Sequence, residues 1–99
     1  MNLKVIYVDI DETICKTSED RKYENSTPIH ENIEKINKLY DQGQTIVYWT
    51  ARGSRKQINW YDLTYNQLNE WGAKFHELRV DKPYYDVFID DKTLRIEEI

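Results

Sequence analysis

The chain has 99 residues, 39% hydrophobic and 13% aromatic, with a formal net charge of −4 and a single cysteine. That composition supports one globular domain over residues 1–99, with one core that buries roughly 60–65% of the unfolded surface, and it excludes a second core, a disordered chain and an internal disulfide. The acidic balance argues against a broad nucleic-acid surface, the apolar runs are too short to span a bilayer, and Lys4, Asp9, Asp11 and Glu12 interrupt any signal-like start, so a cytoplasmic protein is expected.

Leu3 to Val8 is compact and β-branched, with little alternation, and is expected to be a strand covered on both faces. Residues 12–27 are polar and irregular and are expected to form a loop with room for a small hairpin. Thr27 and Pro28 have the chemistry of an N-cap and a first helical position. Ile29, Ile33, Ile36 and Leu39 or Tyr40 then follow at helical spacing until Gly43. Thr45 to Trp49 reads as a second buried strand, followed by a turn at T-A-R-G-S-R. A second helix is expected from about Arg55 to Trp71, with Ile58, Tyr61, Tyr65 and Leu68 on one face, closed by Gly72. Phe75 to Val80 suggests a third strand, D-K-P a turn, and Asp86 to Ile89 a fourth strand ending in Asp90-Asp91. The C-terminal T-L-R-I-E-E-I is expected to add an edge strand.

Strands alternating with helices imply an α/β fold: a small Rossmann-like three-layer sandwich with a mostly parallel sheet and right-handed crossovers. Ligands of such sheets bind beyond the carboxyl ends of the strands, where strand order reverses. Asp9, Thr50, Asp90 and Asp91 all fall at such ends. Carboxylates gathered at one edge repel by about 4 kcal/mol per pair at about 4 Å and an effective dielectric of about 20. A hard cation relieves this, and a site of few protein oxygens plus water suits Mg²⁺. Residues two apart in an extended segment face one side, so Asp9 and Asp11 can address one substrate. One can attack phosphorus and the other can carry the proton. Thr50 can hydrogen-bond a phosphate oxygen, and Lys82 offers it a point charge.

Four segments in order, D-I-D-E-T, T-A-R, the lysine of D-K-P and F-I-D-D, resemble the four motifs of the haloacid dehalogenase superfamily across Val5 to Lys92. The resemblance implies Asp9 as the phosphorylated nucleophile and Asp11 as general acid and base. It implies phosphate binding by Thr50, Ala51 and Lys82. It also implies Mg²⁺ held by the Asp9 carboxylate, the Asp11 backbone carbonyl and one or both of Asp90 and Asp91. Glu12 stands where many members have glycine, and Asp81 stands before the lysine where glycine is frequent. One helix and one strand use up each interval between the first three motifs, so no cap domain fits. The chain is similar to the capless branch, including small phosphatases of capsule and lipopolysaccharide sugar synthesis.

The expected activity is thus Mg²⁺-dependent hydrolysis of a small phosphorylated metabolite, a sugar phosphate, through an aspartyl-phosphate. The alternatives are a phosphatase for nucleic-acid ends or phosphoprotein, and a non-catalytic receiver-like phosphate-binding module. Arg52, with Arg55 and Lys56, is a candidate substrate contact; the alternative is a solvated basic turn. Cys15 reads as a small hydrophobe, and His30 and His76 have no metal-ligand spacing. Loop 12–27, or a neighbouring subunit in a homo-oligomer, is available to cover the site.

Overall fold

The computed structural model describes residues 3–52 and 60–99. Five short strands and two helices follow one another: β1 (Val5–Val8), β2 (Cys15–Lys16), β3 (Thr27–Pro28), α1 (His30–Asp41), β4 (Thr45–Trp49), α2 (Tyr61–Glu70) and β5 (Glu77–Arg79). Single 3₁₀ turns cover Tyr23–Asn25 and Ile96–Glu98. The main sheet is parallel in the order β1-β4-β5, with Val5 opposite Thr45 and Val47 opposite Glu77. The expected α/β class with a parallel sheet is therefore present. The order follows the chain without reversal among the described strands.

That order fixes the layers. Successive right-handed crossovers in one direction put their helices on one face. Ile33 and Ile36 of α1 and Leu68 of α2 accordingly join one buried cluster with Ile46 and Tyr48 of β4. The opposite face carries Tyr7 edge-on to Trp49, with Val5 exposed. Among the described residues it has no helix, so the three-layer arrangement is seen only as two layers.

Helix α1 forms where its apolar positions recur at three- and four-residue spacing, and it stops at Gly43, whose φ of +93° suits glycine. It starts two residues later than the Thr27 cap would place it. Thr27 and Pro28 pair instead with Lys16 and Cys15 in an antiparallel ladder, the small hairpin expected in this loop. The Ile29 amide donates to the Ile14 carbonyl at 2.8 Å and Asn32 Nδ2 donates to the Thr13 carbonyl at 2.8 Å. These bonds, rather than a side-chain cap, fasten the helix start beneath the loop after β1.

The described part of α2 presents Thr64, Gln67 and Leu68 inward, while Tyr61 and Tyr65 are exposed and stacked on each other. The expected start at Arg55 and the Ile58 position lie outside the described residues. The expected fourth strand is not formed. Asp86 to Ile89 pairs with no strand among the described residues, with Val87 74% and Ile89 93% exposed. The tail makes a 3₁₀ turn rather than an edge strand, and Ile96 packs against the core. The apolar run Val87-Phe88-Ile89 reads as a strand in sequence, but no described strand takes it as a ladder partner. No helix among the described residues is long and apolar enough to cross a membrane.

Candidate active site at the carboxyl edge of the sheet

The segment after β1 explains how two carboxylates come to share an edge. Ile10 and Ile14 are fully buried and act as anchors. The amides of Thr13 and Ile14 both donate to the Ile10 carbonyl, which turns the chain sharply. Glu12 adopts a left-handed φ of +64° within that turn, a conformation that costs a non-glycine residue roughly 1 kcal/mol. That gives a physical reason for glycine at this place in the resembled motif. With Ile10 pointing inward, Asp9 and Asp11 flank it, each partly open to solvent.

Asp9 faces Lys82, with Oδ1 to Nζ at 3.3 Å. The Lys82 ammonium also lies 5.6 Å from the Trp49 ring centre and 5.2 Å from that of Tyr85, within reach of cation–π attraction. Burial pushes the Asp9 carboxyl above its ordinary range; the Lys82 charge opposes this and the nearby Asp11 charge adds to it. Burial pulls Lys82 down, but its hydrogen bond to Tyr85 and the Asp9 charge outweigh that and raise it. Thr50 is buried at the end of β4. Its amide donates to the Arg79 carbonyl and its carbonyl accepts from the Lys82 amide at 3.2 Å. The Lys82 turn is thus stitched to the β4 end. Ala51 is half-buried beside it. Asp9, Asp11, Thr50, Ala51 and Lys82 therefore all lie at the carboxyl ends of β1 and β4 or on the turn tied to them.

Arg52 is placed differently from the expectation. It is 2% exposed and points inward rather than toward a substrate. Nε donates to Asp11 Oδ2 at 3.0 Å and Nη2 to Asp11 Oδ1 at 2.8 Å. Nη1 donates to Thr64 Oγ1 at 3.1 Å and to Gln67 Oε1, and Nη2 also reaches Cys15 Sγ at 3.8 Å. The Tyr23 ring lies 4.8 Å from the guanidinium carbon. A guanidinium has five N–H donors, and here all five have acceptors. Arg55 and Lys56 lie outside the described residues.

Thr64, Gln67 and Tyr23 thus belong to the site's support, and sequence reasoning did not single them out. The available signal was polar Thr64 and Gln67 in line with Leu68 on the inward face of a helix. Cys15 is buried within the same cluster. Burial, then the Asp11 charge, pushes its thiol up to about 12, consistent with a packed rather than a nucleophilic cysteine.

Asp90 and Asp91 are exposed. Among the described residues no group of three or more His, Cys, Asp or Glu side chains is arranged to hold an ion. The donors that do stand at the edge, the Asp9 carboxylate and the Asp11 backbone carbonyl, have the oxygen chemistry of a hard cation that keeps most of its water. An open cleft of about 500 Å³ on the far side of α2, walled by Tyr40, Tyr61, Tyr65 and Phe75, contains none of these residues.

No protein-family model matches the chain, and no curated protein matches it. A crystal structure of a structural-genomics target from Vibrio cholerae is similar over 97% of this chain and 86% of that one. It is 27% identical, with a TM-score of 0.86. Its name carries no activity, so the likeness supports the α/β architecture and says nothing of chemistry.

Proposed function

We propose that the chain is a phosphomonoester hydrolase of the haloacid dehalogenase type without a cap, working through an aspartyl-phosphate on a small phosphorylated metabolite such as a sugar phosphate. The observation that carries this reading is the Asp9–Lys82 pair at 3.3 Å, with Asp11 two residues on and Thr50 at the adjoining strand end. A half-buried carboxylate with one side open, beside a fixed ammonium, is suited to attack a phosphate whose charge that ammonium attracts.

In this reading the phosphate settles on Lys82, the Thr50 hydroxyl and the backbone at Ala51. An Asp9 oxygen attacks phosphorus as the ester oxygen leaves with a proton from Asp11. Water then attacks the phosphoryl group on Asp9, and Asp11 takes the water proton back. Mg²⁺, held by the Asp9 carboxylate and the Asp11 carbonyl with water filling its remaining positions, would neutralise phosphate charge when bound. Substrate choice falls to the loop after β1 and to the exposed aromatic residues near Lys82, since Arg52 is committed to Asp11.

The test is phosphate release from a panel of sugar phosphates and aryl phosphates by the purified protein with Mg²⁺. Turnover that disappears in Asp9→Asn is expected. Failure of the wild type to release phosphate from any ester would refute the reading.

A further inference from the structure

The guanidinium of Arg52 is buried, charged and far more heavily bonded than a solvated turn requires. Two of its donors take the two oxygens of one carboxylate in a fork, the geometry in which arginine fixes a carboxylate in both position and rotation. The donors on its other side are held by Thr64 and Gln67, two side chains from a different element. Gln67 is itself fixed, since its Nε2 donates to the Tyr23 carbonyl at 2.7 Å. A chain of contacts therefore runs from α2 and the 3₁₀ turn, through Arg52, to Asp11. Asp11 keeps an open side, because its side chain is 22% exposed. The oxygens turned toward Arg52 face N–H groups, so the carboxylate is presented as an acceptor.

We infer that Arg52 is a positioning residue for Asp11 in the second half of the reaction, the hydrolysis of the phosphorylated Asp9. This rests on the phosphomonoesterase reading above. In that step a water oxygen forms a bond to phosphorus and the bond from phosphorus to the Asp9 oxygen breaks. Inorganic phosphate leaves, Asp9 returns as a carboxylate, and the water proton passes to Asp11. The base must be an unprotonated carboxylate aimed at the water. The fork from Arg52 supplies that aim, and Thr64 and Gln67 hold the fork. Arg52 does not touch the substrate.

The experiment uses 2,4-dinitrophenyl phosphate, whose leaving group needs no proton, so that only the second step depends on Asp11. It compares the wild type with Arg52→Lys, which keeps the charge and loses the fork, and with Gln67→Leu, which loosens Arg52 without altering Asp11 or Arg52. Displacing a catalytic group by about 1 Å costs about 100-fold, so kcat should fall by about 10- to 100-fold in Arg52→Lys and less in Gln67→Leu. The ratio kcat/KM, which reports only the steps up to departure of the leaving group, should stay within about threefold. Nitrophenolate should appear as a burst approaching one equivalent per site, with phosphoenzyme trapped on acid quenching.

Unchanged kcat in both variants, or equal losses of kcat and kcat/KM in a folded variant with no phosphoenzyme accumulating, would overturn the inference. If Arg52→Lys does not fold, Gln67→Leu carries the same test. A wild type inert toward the ester would overturn the functional reading itself, and this is seen before any variant is compared.

Discussion

Replacing Arg52 by methionine keeps much of the side chain's volume and removes all five donors. The Asp11 carboxylate, the Thr64 hydroxyl and the Gln67 carbonyl would then face an apolar chain. Breaking one partner out of a buried ion pair costs about 3–5 kcal/mol, because the other charge is left uncompensated. Asp11 retains some access to water, which places the cost near the lower end, about 3 kcal/mol. For a domain of this size each kcal/mol moves the melting temperature by about 4–8 °C, so the loss should exceed roughly 12 °C. Denaturant unfolding and calorimetry measure it directly. Asp11→Asn in the Arg52→Met background removes the orphaned charge and should recover part of the loss, giving a coupling of about 1–3 kcal/mol. A loss under about 1 kcal/mol in Arg52→Met, with no coupling to Asp11, would place the guanidinium in solvent and refute the clamp.

The raised Asp9 carboxyl gives a pH signature. Between its ordinary value of 3.8 and the higher folded value, the folded state holds more protons, so wild-type stability declines as pH rises through that window. Asp9→Asn escapes that decline, and its melting temperature relative to wild type should climb from about pH 4 toward neutrality; a flat or falling difference would contradict the burial of Asp9. Cys15, with its thiol pushed up to about 12, should react with iodoacetamide at pH 8 about a thousandfold more slowly than in denaturant, and comparable rates would show it exposed. Ile89→Ser should change stability by less than about 0.5 kcal/mol, as expected for an exposed unpaired side chain. A loss near 2 kcal/mol would instead mean that Val87 to Ile89 packs as the fourth strand that its sequence suggests.

The parts of this fold that sequence reveals are those where local pattern and burial agree. Ile33 and Ile36 recur on the helical period and are buried, and Thr45 to Trp49 is apolar and central, so both elements stand within a residue or two of expectation. Gly43 and Gly72 mark helix ends because their positive φ leaves few alternatives. Thr27-Pro28 misled because capping chemistry cannot see a distant ladder partner, here Cys15-Lys16. At the site, strand-end position singled out Asp9 and Thr50, two-residue spacing Asp11, and a turn after the third strand Lys82, and Asp9 and Lys82 do meet. The role of Arg52 was not legible. A basic residue in a turn looks solvated until Thr64 and Gln67, more than ten residues away, are seen to turn inward and receive it. The segment before Asp90 and Asp91 shows the opposite case: it reads as a strand, but among the described residues it has no ladder partner.

The account turns on Asp9 as a nucleophile held beside Lys82. The most direct measurement is mass spectrometry of the protein after rapid acid quenching during turnover of an aryl phosphate with Mg²⁺. The account predicts a phosphate adduct on the peptide containing Asp9, labile to hydroxylamine and absent in Asp9→Asn. Turnover of the ester that persists in Asp9→Asn, with no adduct on that peptide, would contradict it.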